Sequence, residues 1–164
     1  MEPAQTSFSV TYDLTTKLVT GFVVALATLA VLVVHSMAAG VLVSLLIAAC
    51  FAYSPRGYEI ADQTLTIKRM AGNVRLPLDG VSEVRLAGGD DLKRCIRLWA
   101  SGGLFGYYGL FNTKGLGNCT WYVTNRRKSV VLINGAKTVV LSPDDPNGTF
   151  TFGVNVTLLN PPQF

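Results

Sequence analysis

The feature that most constrains this chain is a stretch of 38 residues, 18–55, that contains no Lys, Arg, Asp or Glu. A charge at the bilayer centre costs several kcal/mol, so the hydrocarbon core selects charge-free apolar segments. One spanning helix needs about 20 apolar residues. The stretch is too long for one straight helix, and it predicts two short membrane helices over residues 18–34 and 37–53.

His35 and Ser36, the most polar pair in the stretch, are predicted to form the turn between these helices near one water interface. At 1.5 Å per residue, each helix reaches about 26 Å, slightly less than the hydrocarbon thickness of about 30 Å. We therefore expect the hairpin to stand nearly upright. Small residues let helices approach closely in lipid, and here they are Ala27, Thr28, Ala30, Ala38, Ala39, Gly40, Ser44, Ala48 and Ala49.

Two other interpretations of the stretch are weaker. A signal peptide usually has a basic start and a shorter apolar core, whereas residues 1–16 carry Glu2 and Asp13 and no Lys or Arg. A soluble helical hairpin would show a polar face, and neither apolar segment has one.

Cations on either side of the hairpin predict its orientation. Lys17 precedes it, Arg56, Lys68 and Arg69 follow it, and the turn carries no cation. Because positive charge stays on the cytoplasmic side, both termini are expected in the cytoplasm.

Residues 56–164 are long enough for one small domain with its own core. They carry 13 Lys plus Arg against 8 Asp plus Glu, an excess that attracts a tethered domain to an anionic leaflet. The excess is too small to indicate nucleic-acid binding. The three cysteines show no metal-ligand spacing, so neither a metal nor a cofactor is expected.

Short alternating segments predict that this domain is mainly β, a small antiparallel barrel or sandwich of seven strands. The turn at Met70–Gly72 joins the first two strands, and Asn134-Gly135 predicts a later hairpin. Ser142-Pro143-Asp144-Asp145 is a helix-start pattern, and residues 146–160 fit either a helix or a strand. The apolar positions that define the seven strands are Leu65 and Ile67; Val74, Leu76 and Leu78; Val81, Val84 and Leu86; Ile96 and Leu98; and residues 120–123, 130–133 and 139–141.

Four motifs stand out in this domain: Gly102-Gly103-Leu104-Phe105-Gly106-Tyr107-Tyr108-Gly109, Leu116-Gly117, Thr124-Asn125 and Ser142-Pro143-Asp144-Asp145. Together they resemble the pattern of a bacterial pleckstrin-homology-like (PH-like) domain family across residues 57–146. The resemblance implies a seven-stranded, sharply bent antiparallel barrel capped by a C-terminal helix, and it implies no activity. The chain departs from the pattern after Asp145, where Pro146 and Gly148 replace good helix formers.

Aromatic residues are concentrated in a predicted loop, residues 104–111, and three interpretations stay open. The loop could dip into the membrane interface, where Tyr is favoured. It could form a docking surface, since Tyr and Phe are enriched at protein interfaces. Alternatively the rings pack inward while the glycines permit tight bends. The candidates are Phe105, Tyr107, Tyr108 and Phe111.

Two basic groups are candidates for binding anionic lipid headgroups, because each Lys or Arg near an anionic surface contributes about 1 kcal/mol. The wider PH superfamily implies a headgroup site at the first hairpin, but only Arg75 lies on its second strand, so the expected basic pair is incomplete. An ordinary solvated turn is the alternative for either group. The groups are Lys68, Arg69 and Arg75, and Arg126, Arg127 and Lys128.

No catalytic residue is predicted. His35, the single histidine, lies at the hairpin turn, and Cys95 or Cys119 as a nucleophile would lack an imidazole base. We expect a multi-pass protein of the bacterial inner membrane whose cytoplasmic PH-like module is not an enzyme but contacts a protein partner or another copy of itself. The alternative is a domain that binds anionic lipid headgroups.

Overall fold

The computed structural model describes residues 6–145, which form two helices and ten strands. Helices α1 (Leu14–Val34) and α2 (Met37–Tyr53) follow the short strand β1 (Thr6–Ser9). A 3-10 turn, Arg126–Lys128, lies between the eighth and ninth strands. The strands after the helices are β2 (Gly57–Ala61), β3 (Thr64–Lys68), β4 (Val74–Pro77), β5 (Val81–Leu86), β6 (Ile96–Gly102), β7 (Tyr107–Thr113), β8 (Gly117–Val123), β9 (Val130–Asn134) and β10 (Lys137–Leu141).

The strands form two sheets. The first is antiparallel, in the order β1-β2-β3-β4, and the second has the order β5-β9-β10-β8-β7-β6. Strand β10 pairs with β8 in parallel, whereas the other pairs are antiparallel. The prediction of a mainly β domain is confirmed, but the prediction of seven strands, all antiparallel, is wrong.

Three strands were not expected: β1, β2 and β7. Strand β1 comes before the helices and pairs with β2, so the segment ahead of α1 is part of the β structure. Strand β7 runs through the glycine-rich segment that was predicted as a loop. Glycine in a strand weakens its usual signal, which is why the alternation there was missed.

Local capping determines where the two helices begin and end. Asp13 caps α1, since its Oδ1 accepts the N–H of Thr16 at 2.7 Å, and the helix therefore begins before residue 18. His35 ends α1 in the left-handed conformation at φ 52°, and Ser36 caps α2. The predicted turn at His35 and Ser36 is confirmed. Gly40 lies against Val31, so the helices are in contact at a small residue.

Only α1 is long and apolar enough to cross a membrane by length and composition, among the residues that the structure describes. Helix α2, with 17 residues, is a shorter apolar helix. A signal sequence near the N-terminus would pass the same test. The two-span topology therefore stays a prediction, although both helices expose large apolar side chains such as Phe22, Leu32, Leu42 and Leu45.

Two hydrophobic clusters form the core of the β structure. The first lies between the sheets and joins Tyr58, Leu65 and Ile67 to Val84, Leu132 and other buried residues of β5, β9 and β10. The second covers the opposite face of β7 and β8, where Leu92, Cys95 and Leu116 pack against buried aromatic residues.

The segment predicted to start a helix binds to neighbouring loops within the described residues. Ser142 Oγ accepts the N–H groups of Thr124 and Asn125 at 2.8 and 3.2 Å, which joins two of the sequence motifs. Asp144 accepts hydrogen bonds from Ser9 and Thr11 next to β1. The predicted capping helix, and the choice between helix and strand over residues 146–160, lie outside the described residues.

Candidate functional site

A cleft of about 750 Å³ lies between the last turn of α2 and one face of β6, β7 and β8. Helix α2 supplies Ala49, Cys50 and Tyr53, and Arg69 is the single charged residue in the lining. The strands contribute Leu98, Trp99, Ala100, Ser101, Tyr108, Gly109 and Tyr122. The cleft is thus an apolar and aromatic surface with one cation, placed where the helical segment meets the β structure.

The strand registers define two faces of this part of the sheet. Ser101, Tyr108 and Tyr122 are paired across the three strands, and so are Trp99, Leu110 and Thr120. Because side chains alternate along a strand, these six residues share one face, which we call the outer face. The opposite face carries Tyr107, Phe111, Cys119, Trp121 and Val123, which form the second core cluster.

Hydrogen bonds attach the last turn of α2 to the β structure. The Tyr108 hydroxyl donates to the Cys50 carbonyl oxygen at 2.7 Å, and the Ala71 N–H donates to the Ala52 carbonyl oxygen at 2.9 Å. Burial raises the pKa of Tyr108 to about 12, so its hydroxyl stays protonated as a donor at neutral pH. Because of these contacts, the outer face lies beside the last turn of α2, which carries no charged residue.

Two arginines stack on aromatic rings beside this helix end. The Arg69 guanidinium lies 5.7 Å from the Tyr53 ring centre and 5.9 Å from that of Tyr122. The Arg56 guanidinium lies 4.3 Å from the Phe51 ring centre. Such contacts contribute about 0.5–1 kcal/mol at exposed sites, and they fix two cations close to where α2 ends.

Strand β6 presents large apolar side chains to the exterior. It is an edge strand of its sheet among the described strands. Ile96, Leu98 and Trp99 are 62%, 54% and 84% exposed. The register shifts between Arg97 and Trp99, so two consecutive apolar residues reach the surface. Sequence reasoning placed Ile96 and Leu98 on an ordinary core strand and missed Trp99, although the consecutive Leu98-Trp99 pair was a visible break in alternation.

The four aromatic candidates separate into two environments. Tyr107 and Phe111 are buried in the second cluster, as the inward-packing interpretation predicted for them. Tyr108 lies on the outer face, and the Phe105 ring contacts Phe51 of α2 with the ring centres 5.0 Å apart. The prediction that residues 104–111 are one loop is wrong, because Tyr107 begins β7.

Positive φ makes glycine necessary at three positions of the aromatic motif at residues 102–109: Gly103, Gly106 and Gly109. Gly109 has φ 117°, and a side chain there would collide with the backbone of Trp99 and Ala100 on β6. Gly103 has φ 115° and lies against Val19 of α1. Gly109 and Gly103 therefore permit close contact, one between strands and the other between loop and helix.

The first turns of α1 are attached to the same region by polar contacts. Thr20 Oγ1 accepts the N–H of Phe105 at 3.0 Å and lies 3.3 Å from the Gly103 carbonyl oxygen. Thr16 is buried near the Thr124 carbonyl oxygen. These threonines attach one side of the first turns of α1 to the β structure, while Leu14 and Leu18 on the same turns are exposed.

The predicted lipid-binding cations do not form one site. The Lys68 amine pairs with Glu59 at 2.5 Å. Arg126 stacks on Tyr107 and Trp121 and donates to the Leu92 carbonyl oxygen, and Lys128 donates to the Asp144 carbonyl oxygen. Arg75 and Arg127 are exposed. Of the six candidates, Arg69 alone lines the cleft.

The chemistry of the thiols argues against nucleophilic catalysis. Burial raises the pKa of both Cys95 and Cys119, which keeps the thiols protonated at neutral pH. The reactive form of cysteine is the thiolate. Within residues 6–145 there is no group of three or more His, Cys, Asp or Glu that could bind a metal ion.

The β structure, its arrangement behind two apolar helices and its motifs define a PH-like domain. The model of the Bacterial PH domain family matches residues 56–152, which is more than half of the chain, and the protein belongs to that family. No curated protein and no solved structure matches the chain.

Proposed function

We propose that this protein is a noncatalytic, membrane-anchored PH-like module that binds a protein partner or a second copy of itself through strand β6. The observation that carries the proposal is the exposed apolar row Ile96, Leu98 and Trp99 on an edge strand. An edge strand offers backbone groups for pairing with another strand, and strand addition is a common way to bind an extended segment.

Membrane anchoring is supported by the charge-free stretch and by the exposed apolar side chains of α1 and α2. Large contiguous apolar surfaces on a protein indicate contact with a membrane or another protein. Anchoring also favours assembly, since two copies confined to one membrane meet at a higher effective concentration than in solution.

The proposal that the module is noncatalytic is supported by the chemistry of its titratable groups. His35 lies at the helix turn, away from the β structure. The carboxylates of Asp91 and Asp144 are engaged by Arg85 and by Thr11, Ser9 and Lys128. In these contacts the two carboxylates stabilise loops.

Crosslinking of the full-length protein in membranes, followed by purification and mass spectrometry, tests the proposal. We expect a defined homo-oligomer or one reproducible partner, with crosslinks close to β6. Ile96→Lys should reduce this product severalfold, because a charge on an edge strand opposes pairing.

Leu86→Lys provides the matched control. Leu86 is an exposed residue at the end of β5, the opposite edge of the same sheet. The control should leave the crosslinked product unchanged. Equal loss in both variants, or a monomer in the unmodified protein, would contradict assembly through β6.

Binding of anionic lipid headgroups is a second candidate, and the position of Arg69 favours it. This cation lines the cleft beside the end of α2. In the full-length protein reconstituted into vesicles, Arg69→Glu should reduce crosslinking to a photoactivatable anionic lipid relative to a neutral one, whereas Arg127→Glu, at an exposed turn, should have a smaller effect. Equal effects of the two reversals would indicate general charge attraction.

A further inference from the structure

The free lengths of the two helices are short for a bilayer. Polar contacts attach α1 to the β structure as far as Thr20, so the remaining part, residues 21–34, rises about 21 Å at 1.5 Å per residue. Helix α2 is attached from Cys50 onward, and residues 37–49 rise about 20 Å. The hydrocarbon core is about 30 Å thick. The two free segments thus fall short of it by a similar amount.

A second, independent observation concerns the aromatic residues that lie beside the end of the free segment of α2. The outer face of β6–β8 lies beside the last turn of α2, and Leu98, Trp99 and Tyr108 line the same cleft as Ala49 and Cys50. Tryptophan and tyrosine are the residues that concentrate at membrane–water interfaces. The exposed ring of Trp99 is therefore placed at the depth at which the helix leaves the apolar layer.

We infer that the outer face of β6–β8 is seated in the phospholipid interface of the bilayer, with the side chains of Trp99 and Leu98 among the first methylene groups of the acyl chains, next to the headgroups. This inference rests on the membrane anchoring in the proposed function. At this depth, the β structure itself occupies part of the hydrocarbon thickness that the two free helix segments are too short to span. Local thinning of the bilayer makes up the rest at a modest cost.

The charges around this face agree with such a position. Arg69 is the single charged residue of the cleft lining, and Arg56 and Lys17 lie next to the helix segments that enter the apolar layer. Long cationic side chains can extend toward phosphates while their stems stay in apolar surroundings.

Seating of the face is compatible with pairing at the edge of β6. Side chains extend perpendicular to a sheet, whereas backbone hydrogen bonds lie in its plane. A partner strand can therefore add to β6 while the Trp99 ring remains in the bilayer.

Tryptophan fluorescence of the full-length protein in phospholipid vesicles tests the inference. The chain has two tryptophans, and Trp121 is buried, so the emission lost in Trp99→Phe reports on Trp99. We expect lipids with brominated acyl chains to quench most of this difference signal. Acrylamide, a quencher dissolved in water, should quench it weakly.

Two results would overturn the inference. Strong quenching by acrylamide without quenching by brominated lipid would place Trp99 in water. Protection from both quenchers would place it against protein.

The anchor is tested separately in the same samples, by whether the protein stays with floated vesicles after alkaline extraction. Loss from the vesicles would refute membrane anchoring itself. Retention together with an acrylamide-accessible Trp99 would refute only the seating of this face.

Discussion

The two tryptophans of this protein lie in opposite environments on two strands of one sheet, β8 and β6, that are separated by β7. Trp121 on β8 is 1% exposed, stacks on Phe111 with ring centres 4.4 Å apart, and donates its Nε1–H to Cys119 Sγ at 3.0 Å. Trp99 on β6 lies on the outer face and is 84% exposed. The inner face is covered by a segment of the chain itself, through Leu92 and Cys95. The outer face is covered partly by the end of α2, so it is the face that can contact something else.

The largest expected effect is on the free energy of unfolding, and it tests whether the two tryptophans differ as their environments indicate. Trp121→Ala should lower the free energy of unfolding by about 3–5 kcal/mol, because it removes a large buried ring and leaves a cavity. Trp99→Ala should change it by about 0.5 kcal/mol or less, as expected of a surface substitution. Denaturant unfolding of both variants in the same detergent micelles measures the difference.

A similar loss of stability in the two variants would show that Trp99 packs as core, and it would remove the contrast between the faces. The same measurement in vesicles extends the test. If Trp99 is seated in the interface, Trp99→Ala should lower the free energy of unfolding in vesicles while leaving unfolding in micelles unchanged.

Most of the fold could be predicted from local signals in the sequence. The charge-free stretch and the polar pair His35-Ser36 indicated the two helices, and alternating apolar residues located seven of the ten strands. Among the three strands that were missed, β2 does alternate, with Tyr58 and Ile60 buried, and was overlooked, whereas the other two lack such signals. Strand β1 is four residues long and pairs with β2 across both helices, and β7 carries Gly109 in its middle.

The candidate site was predicted less well, because it depends on which elements meet in space. The aromatic motif was recognised, but only the register shows that Tyr107 faces the core while Tyr108 faces α2. Trp99 carried no motif. Its exposure follows from the shift in pairing after Arg97 and from the position of β6 at the sheet edge, and neither can be read from composition.

A smaller effect on stability is expected from removing a tyrosine hydroxyl, and two hydroxyls can be compared, one in the core and one beside α2. The Tyr58 hydroxyl donates to the Tyr122 carbonyl oxygen at 2.5 Å and accepts the N–H of Ser142 at 3.1 Å. Burial raises its pKa to about 12 from an ordinary value of 10.0. Tyr58→Phe should destabilise the protein by about 1–3 kcal/mol, because two buried groups lose a partner.

The pH dependence of stability adds a second measurement on the same variant. Because the raised pKa lets the unfolded chain ionise first as pH rises, the stability that Tyr58 contributes is complete below pH 10 and is lost between pH 10 and about 12. Tyr58→Phe should therefore show a shallower alkaline decline than the unmodified protein. Tyr108→Phe, at the half-buried contact with Cys50, should destabilise less; an equal loss would mean that the helix contact matters as much as the core.

The smallest expected effect concerns the segment that covers the inner face. Arg85 donates from Nη2 to Asp91 at 3.0 Å, and the Gly88 N–H donates to the same carboxylate at 2.7 Å. The hydrogen bond from Arg85 holds the pKa of Asp91 below its ordinary value of 3.8. Since the folded state binds the proton less tightly, the stability from Asp91 is present above that ordinary value and is lost as the pH falls through the lowered one.

Asp91→Asn should thus lower stability at neutral pH by about 1 kcal/mol, as expected for a partly exposed ion pair, and should make the acid side of the stability profile flatter. Asp90→Asn is the matched control, because that neighbouring carboxylate is exposed and forms its ion pair, within the residues that the structure describes, with the exposed Lys93. Thermal unfolding between pH 2 and 7 compares the two variants at a range set by ordinary carboxyl titration. Equal profiles for both would show that the Arg85–Asp91 contact does not hold the covering segment, and that Leu92 and Cys95 keep the inner face closed by packing alone.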